Sequence, residues 1–178
     1  METILSGGAY LNNPNPLRLN VGFLLNKDVG FSRNFDFEYP AARLGDDFFV
    51  LNLRGGLRFT RTSEGIFVNG RLQAASPSEC VRCLDEFEQP LTIKVEDLFI
   101  YPPEQAGEDD LVIPETGLLD LQPLLREYFL LALPIQGLCR PDCRGLCPEC
   151  GNNLNETTCD HPVSDIDPRM AILKTLLE

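Results

Sequence analysis

Apolar and polar residues alternate along several stretches of the first hundred residues, the pattern of strands that bury one face. Leu17-Arg18-Leu19-Asn20-Val21 shows it first, and Phe35, Phe37 and Tyr39 follow Phe31 at period two. Phe48 to Leu53 is a short apolar run, and Gly55-Gly56 after it predicts a hairpin turn into Leu57-Arg58-Phe59. Gly65 to Gly70 encloses another run, which Arg71 to Cys80 extends. Leu91-Thr92-Ile93-Lys94-Val95 alternates again and continues toward Phe99 and Tyr101. The pattern predicts about six short strands in an antiparallel sheet, curled toward a partial barrel.

Residues 102–117 break the alternation. Pro102-Pro103 stops the strand, and Glu104, Glu108, Asp109, Asp110 and Glu115 make the segment an acidic loop. A helix is predicted next, with Asp120 accepting first-turn amides, Pro123 in the first turn and Pro134 at the end. Its apolar side is Leu121, Leu124, Leu125, Tyr128, Phe129 and Ala132, and it covers one face of the sheet. A terminal helix is predicted from Asp167 and Pro168, with Met170, Leu173, Leu176 and Leu177 along one side. The expected organisation is a loose lead at 1–15, a sheet-plus-helix domain at 16–134, and a cysteine-rich segment with the terminal helix at 135–178. The fold class is α+β.

Apolar residues make up 43% of the 178, enough for a real core, which excludes disorder for most of the chain. No run approaches the ~18 apolar residues of a membrane helix. Met1-Glu2-Thr3-Ile4 has neither the basic nor the apolar part of a secretory signal, so no membrane partner is expected and the location reads as cytoplasmic. The net charge of -12 is unevenly spread. Residues 1–83 carry 9 basic and 8 acidic side chains, and residues 84–178 carry 6 and 19. So acidic a C-terminal half repels a phosphate backbone, which argues against plain nucleic-acid coating and favours a basic partner.

Seven cysteines in a cytoplasmic chain point to metal or redox chemistry rather than disulfides. Cys80-x2-Cys83 ends a predicted strand. Cys139-x3-Cys143, Cys147-x2-Cys150 and Cys159-x-His161 lie in a segment with too little apolar mass to fold unaided. A two-residue spacing lets both sulfurs face one point across a tight turn, and Gly151 suits that turn. With the single histidine, the chain has eight candidate ligands, enough for two four-coordinate zinc sites. One grouping makes Cys147, Cys150, Cys159 and His161 a local set, formed at low loop-closure cost, and pairs Cys80 and Cys83 with Cys139 and Cys143. The other joins Cys80 and Cys83 to Cys147 and Cys150 as two knuckles of a ribbon. Sequence leaves both open. The mostly thiolate donors suit closed, structural zinc, one or two ions, better than a catalytic site. An iron–sulfur cluster fits less well, because of the acidic neighbours and the C-x-H ending. A thioredoxin-type centre normally opens a helix beside a βαβ unit, and this context lacks one.

No nucleophile elbow, phosphate loop or dinucleotide fingerprint is present, and the lone histidine is taken up as a ligand, so no catalytic residue is assigned. Arg54, Arg58, Arg61 and Arg71, interleaved with Phe59 and Phe67, form a weaker RNA-binding signal. Ordinary outward strand positions explain them as well, since the regional charge is nearly balanced.

Several motifs together resemble the YceD family, the large ribosomal RNA subunit accumulation proteins. They are Cys80-Val81-Arg82-Cys83-Leu84 with Phe87, Leu131-Ala132-Leu133-Pro134, Cys139 with Cys143, Gly145-Leu146-Cys147-Pro148-Glu149-Cys150-Gly151-Asn152-Asn153-Leu154-Asn155, and Asp167-Pro168-Arg169. The resemblance runs over residues 15–178. The family often ends its cysteine pattern in C-x-C, whereas this chain has Cys159-Asp160-His161, a change zinc chemistry absorbs. The resemblance implies a non-enzymatic ribosome-biogenesis factor supporting synthesis, processing or accumulation of large-subunit (23S) ribosomal RNA. The acidic C-terminal half adds an expected partner, a basic large-subunit ribosomal protein or assembly factor, beside precursor rRNA. The rival classes are a metal-dependent enzyme acting on RNA, marked by an open coordination position near 104–115, and a thiol redox protein, marked by a depressed thiol pKa at Cys80 or Cys147.

Overall fold

The computed structural model describes residues 17–161. The expected lead at 1–15 and the helix from Asp167 lie outside the described residues. The elements in chain order are β1 (Arg18–Asn20), α1 (Gly22–Leu25), β2 (Ser32–Arg43), β3 (Phe49–Arg61), β4 (Gly65–Glu79), β5 (Glu86–Ile100), β6 (Leu111–Val112), β7 (Leu118–Asp120) and α2 (Gln122–Ala132). A single 3-10 turn, Pro103–Gln105, sits in the acidic loop. The described chain divides into two compact units, residues 17–78 with 88–135, and residues 79–87 with 136–161. The short segment 79–87, which the sequence pattern places within the sheet domain, belongs to the cysteine-rich unit.

In the first unit a five-stranded sheet has the order β2-β3-β4-β5-β6, and β1 pairs with β7 as a separate antiparallel ribbon. The sheet is mixed, because β6 joins β5 in parallel through Phe99–Leu111 and Ile100–Val112. Among the described residues it does not close into a barrel. Its edges are β2 and the two-residue β6, with three strands between them. Both β6 and β7 are too short to leave a periodic signal in sequence.

The Gly55-Gly56 hairpin does not form. β3 runs through both glycines and pairs with β2 along nearly its whole length, Arg43 opposite Phe49 through Ser32 opposite Thr60. The glycines serve close packing of strands instead. A Cβ on Gly55 (φ +136°) would lie 2.3 Å from the Arg71 carbonyl oxygen, and one on Gly70 would lie 2.2 Å from that of Gly56. A bulge between Leu51 and Arg54, with Asn52 at φ +53°, shifts the alternation. Val50 is buried before it, and Leu53, Leu57 and Phe59 after it. A β3 of constant parity would have turned one of these sets to solvent.

The buried face is completed by Ile66, Val68 and Leu72 of β4 and Leu91, Ile93 and Val95 of β5. Leu121, Leu124, Leu125 and Phe129 bring α2 into the same core. As expected, Asp120 accepts the Gln122 amide (2.9 Å), Pro123 occupies the first turn, and the helix stops before Pro134. Two polar contacts tie α2 in place. Arg126 makes a two-pronged ion pair with Asp47, holding that carboxyl below its usual range. Tyr128 donates to Asp97 (2.7 Å), and burial together with that acceptor raises the phenol pKa. No helix among the described residues is long and apolar enough to cross a membrane.

Two outcomes follow. Gly55→Ala should destabilise the protein by about 1–3 kcal/mol in urea unfolding, since the new Cβ meets backbone in a conformation L residues resist. The second concerns Tyr128, whose folded pKa exceeds its unfolded value near 10. Its stabilising contribution is therefore fully present below about pH 10 and is lost as pH rises through the folded value. Tyr128→Phe should remove that alkaline loss in a comparison of melting temperatures across pH.

Candidate metal centres in the cysteine-rich unit

The second unit holds all seven cysteines and the only histidine. Its buried cluster is Cys80, Cys83 and Cys143, packed with Phe87, Leu138 and Cys139, so much of its interior is sulfur. Two groups of donors converge: Cys80, Cys83, Cys139 and Cys143, and Cys147, Cys150, Cys159 and His161. Within each group all ligand atoms lie within 4.8 Å of one another. The ribbon grouping of Cys80 and Cys83 with Cys147 and Cys150 is not adopted.

The spacing discriminates between chemistries. Sγ of Cys80 is 3.8 Å from Sγ of Cys143, and Sγ of Cys83 is 3.6 Å from Sγ of Cys139. In the other group Sγ of Cys147 is 3.9 Å from Nδ1 of His161. A disulfide needs about 2.05 Å, and all seven cysteines are free. A tetrahedral centre with metal–sulfur bonds of ~2.3 Å has donor-to-donor edges of roughly 3.8 Å. Both groups can therefore hold a metal ion with little rearrangement.

Local backbone sets this geometry. In each C-x2-C turn the amide after the second cysteine returns to the first cysteine's carbonyl, Leu84 to Cys80 (2.9 Å) and Gly151 to Cys147 (2.8 Å). The closing residue is left-handed in both, Gly151 at φ +72° and Leu84 at φ +62°. Glycine meets that demand freely, whereas leucine adopts it at a cost of about 1 kcal/mol. The turns aim amides at sulfur. The Cys139 backbone N–H, aided by those of Cys83 and Arg82, pulls Cys80 down to about 6 despite burial. The Cys150 and Glu149 amides pull Cys147 down to about 7. The Asn155 side-chain amide lowers Cys143. Cys139 is raised, by burial first, and Cys159 is raised by the Cys147 sulfur beside it. Cys83 is raised too, since burial and neighbouring side chains outweigh the Asp85 amide that draws it down. Like charges around one point oppose joint ionisation, and a bound divalent cation reverses that preference.

The two groups differ in exposure. Cys80, Cys83 and Cys143 are buried and Cys139 is half-buried, whereas Cys147 is buried, Cys159 half-buried, and Cys150 and His161 exposed.

Supporting residues escape the sequence pattern. Asn155 donates to Cys143 Sγ (3.4 Å) and to Asn153 (2.8 Å), and accepts from the Arg144 amide (2.9 Å). Asn153 in turn donates to Asp85 (2.9 Å). Arg82 donates to the Cys143 carbonyl (2.9 Å), and the Leu146 amide to the Arg82 carbonyl (2.9 Å). These bonds stitch the 79–87 segment to the 143–155 segment. The Asn152-Asn153-Leu154-Asn155 run is the available signal, since polar side chains beside metal ligands commonly orient them.

The four arginines lie in the sheet unit: Arg54, Arg58 and Arg71 share its exposed face, since Arg71 stands opposite Gly56 between Arg54 and Arg58 of β3, and Arg61 stands apart from them. Arg54, Arg58 and Arg71 are exposed strand residues, opposite Gln73, Asn69 and Gly56 in register. Arg58 donates to Asn34 (3.2 Å), and Asp36 shares the shallow hollow around Gly56, so the face is not a bare cationic strip. Arg61 is half-buried, and its guanidinium binds the carbonyls of Thr62 and Gly65.

An open sheet unit paired with a small unit carrying two four-donor centres defines a two-unit cysteine-knuckle protein. The chain belongs to the YceD family, whose profile, described as "Large ribosomal RNA subunit accumulation protein YceD", matches residues 68–177. The chain is 32% identical to an uncharacterised protein of Mycobacterium tuberculosis (strain H37Rv) over 172 residues, 91% of this chain and 82% of that one. It is 34% identical to an uncharacterised Mycobacterium leprae protein over 144 residues, 76% of this chain and 66% of the other. It is also 30% identical to the uncharacterised protein YlbN of Bacillus subtilis over 101 residues, 56% of this chain and 59% of that one. No solved structure matches the chain.

Elemental analysis of the protein purified without added metal should find about two ions per chain. Cys80→Ser/Cys83→Ser should remove one, and Cys147→Ser/Cys150→Ser the other. Unchanged metal content in both double variants would exclude these groups as ligands.

Proposed function

We propose that this protein is a non-enzymatic, cytoplasmic factor that supports accumulation of large-subunit ribosomal RNA, with two structural zinc ions holding its cysteine-rich unit. The observation that carries the proposal is the family match over residues 68–177, which spans every donor of both groups. Zinc suits the donors best: four cysteines in one group, three cysteines and a histidine in the other, each set within 4.8 Å of one another. When bound, zinc neutralises the converging thiolates and cross-links segments distant in sequence. Four protein donors per centre fill the coordination shell, which supports a structural over a hydrolytic role. The acidic half supports a basic large-subunit ribosomal protein or assembly factor as partner, with precursor rRNA as the nucleic acid in the same particle.

One observation favours a second reading. The lowered pKa of Cys80 and Cys147 is what a thiol redox protein requires. The same amide-to-sulfur bonds also suit metal thiolates, and Cys80 is fully buried, away from any oxidant.

Deleting the gene should lower mature large-subunit rRNA relative to small-subunit rRNA, read by RNA blotting, and the intact gene should restore it. Purified protein should capture a basic large-subunit protein at low salt and release it as salt rises. X-ray absorption at the zinc edge should give an average shell of roughly seven sulfurs to one nitrogen over the two ions. Normal rRNA ratios in the deletion strain would refute the biological reading, and a zinc-bound water would reopen catalysis.

A further inference from the structure

The corner between α1 and β2, in the sheet unit, presents aromatic surface to solvent. Residues 26–34 are all exposed. Phe23 is 36% exposed, Phe31 42% and Val29 68%. The corner is nonetheless fixed. The Gly30 amide donates to the Arg61 carbonyl (2.8 Å), the Arg61 amide to the Phe31 carbonyl (2.8 Å), and the Phe31 amide to the Asp28 carbonyl (3.1 Å). Cations already sit against the rings. The Arg33 guanidinium lies 5.1 Å from the Phe23 ring centre and 5.7 Å from that of Phe35, and Lys27 Nζ lies 5.8 Å from that of Phe31.

This combination suits one kind of ligand. Single-stranded nucleic acid uses solvent-exposed aromatic side chains for its bases and neighbouring cations for its phosphates, on a surface ordered before binding. On a chain of net charge -12, residues 22–35 carry Lys27 and Arg33 against the single acid Asp28. The corner's own two cations thus outnumber its one acid, a local net of +1 on a chain of -12, with Asp36 and Glu38 farther along β2. Duplex RNA hides its base faces and has no use for the rings.

We propose that this corner binds single-stranded RNA, with Phe23 and Phe31 stacking bases and Lys27 and Arg33 meeting phosphates. The proposal rests on the ribosomal reading above and names the surface through which precursor RNA is held. It sets the contact apart from the strand arginines Arg54, Arg58 and Arg71.

The test uses the full chain as purified, a fluorescein-labelled mixed-sequence 12-nucleotide RNA, and the same RNA annealed to its complement. Anisotropy titrations should show tighter binding to the single strand. Phe31→Ala should weaken binding about five-fold or more at unchanged melting temperature. Lys27→Gln/Arg33→Gln should reduce the slope of log affinity against log salt by about 1.4, or 0.7 for each phosphate no longer neutralised. Arg54→Gln/Arg58→Gln/Arg71→Gln should bind as the parent does. The proposal is overturned if the parent binds no RNA or prefers the duplex. It also fails if binding survives the corner variants, or disappears only in the sheet-face triple variant. Corner variants that keep RNA but lose a purified basic large-subunit protein would make this a protein-docking surface instead. The ribosomal reading stands or falls separately, on the rRNA ratio in the deletion strain.

Discussion

Four side chains that must meet at one point, with almost no apolar mass behind them, set the terms for the cysteine-rich unit. Sulfur takes the place of hydrocarbon in its interior, and backbone amides take the place of a polar solvent around the charges. Each group holds one C-x2-C turn that supplies amides to sulfur, and in the first group the Cys139 amide and the Asn155 side chain add to them. The turn of the first group is strict enough to hold a leucine at φ +62° where its counterpart has glycine. The strain at Leu84 measures how firmly the surrounding bonds fix the turn.

The sheet unit obeys different physics. Its core is built by alternation, and the β3 bulge, beside a matching change of parity in β2 between Phe37 and Ala42, keeps the buried face continuous. Glycine there serves contact between strands rather than reversal of the chain. Polar ties, Arg126 with Asp47 and Tyr128 with Asp97, fix α2 at its edges without entering the apolar core.

What sequence reveals follows from the range of each signal. The buried faces of the strands and α2 are legible through their periodicity, whereas the strands' lengths are not, since the pattern reads them as short and splits β3 at Gly55-Gly56. The cysteine groups are legible because ligand chemistry restricts residue type and spacing. The Gly55-Gly56 pair misleads because two glycines signal either a turn or a close strand contact, and only the partner strand's carbonyl at Arg71 decides between them. The two-residue β6 leaves no pattern of its own; it exists only through its partner β5. Asn155 stands inside a recognisable motif, yet its role is hidden there, since an amide reaching a sulfur twelve positions away is not a local feature. The sheet's openness is likewise a property of edges, which alternation does not encode.

The chain order of the first donor group has a consequence for synthesis. Cys83 precedes Cys139 by 56 positions, and β5, β6, β7 and α2 all lie between them. A chain growing from its N-terminus exposes the Cys80–Cys83 turn while its partners are still unmade. That group is complete only after the last strand and helix of the sheet unit have been translated. The second group, contained within residues 147–161, becomes available over one short stretch of synthesis after the first. Convergence of the first four donors therefore marks the moment at which the polypeptide of the sheet unit is finished.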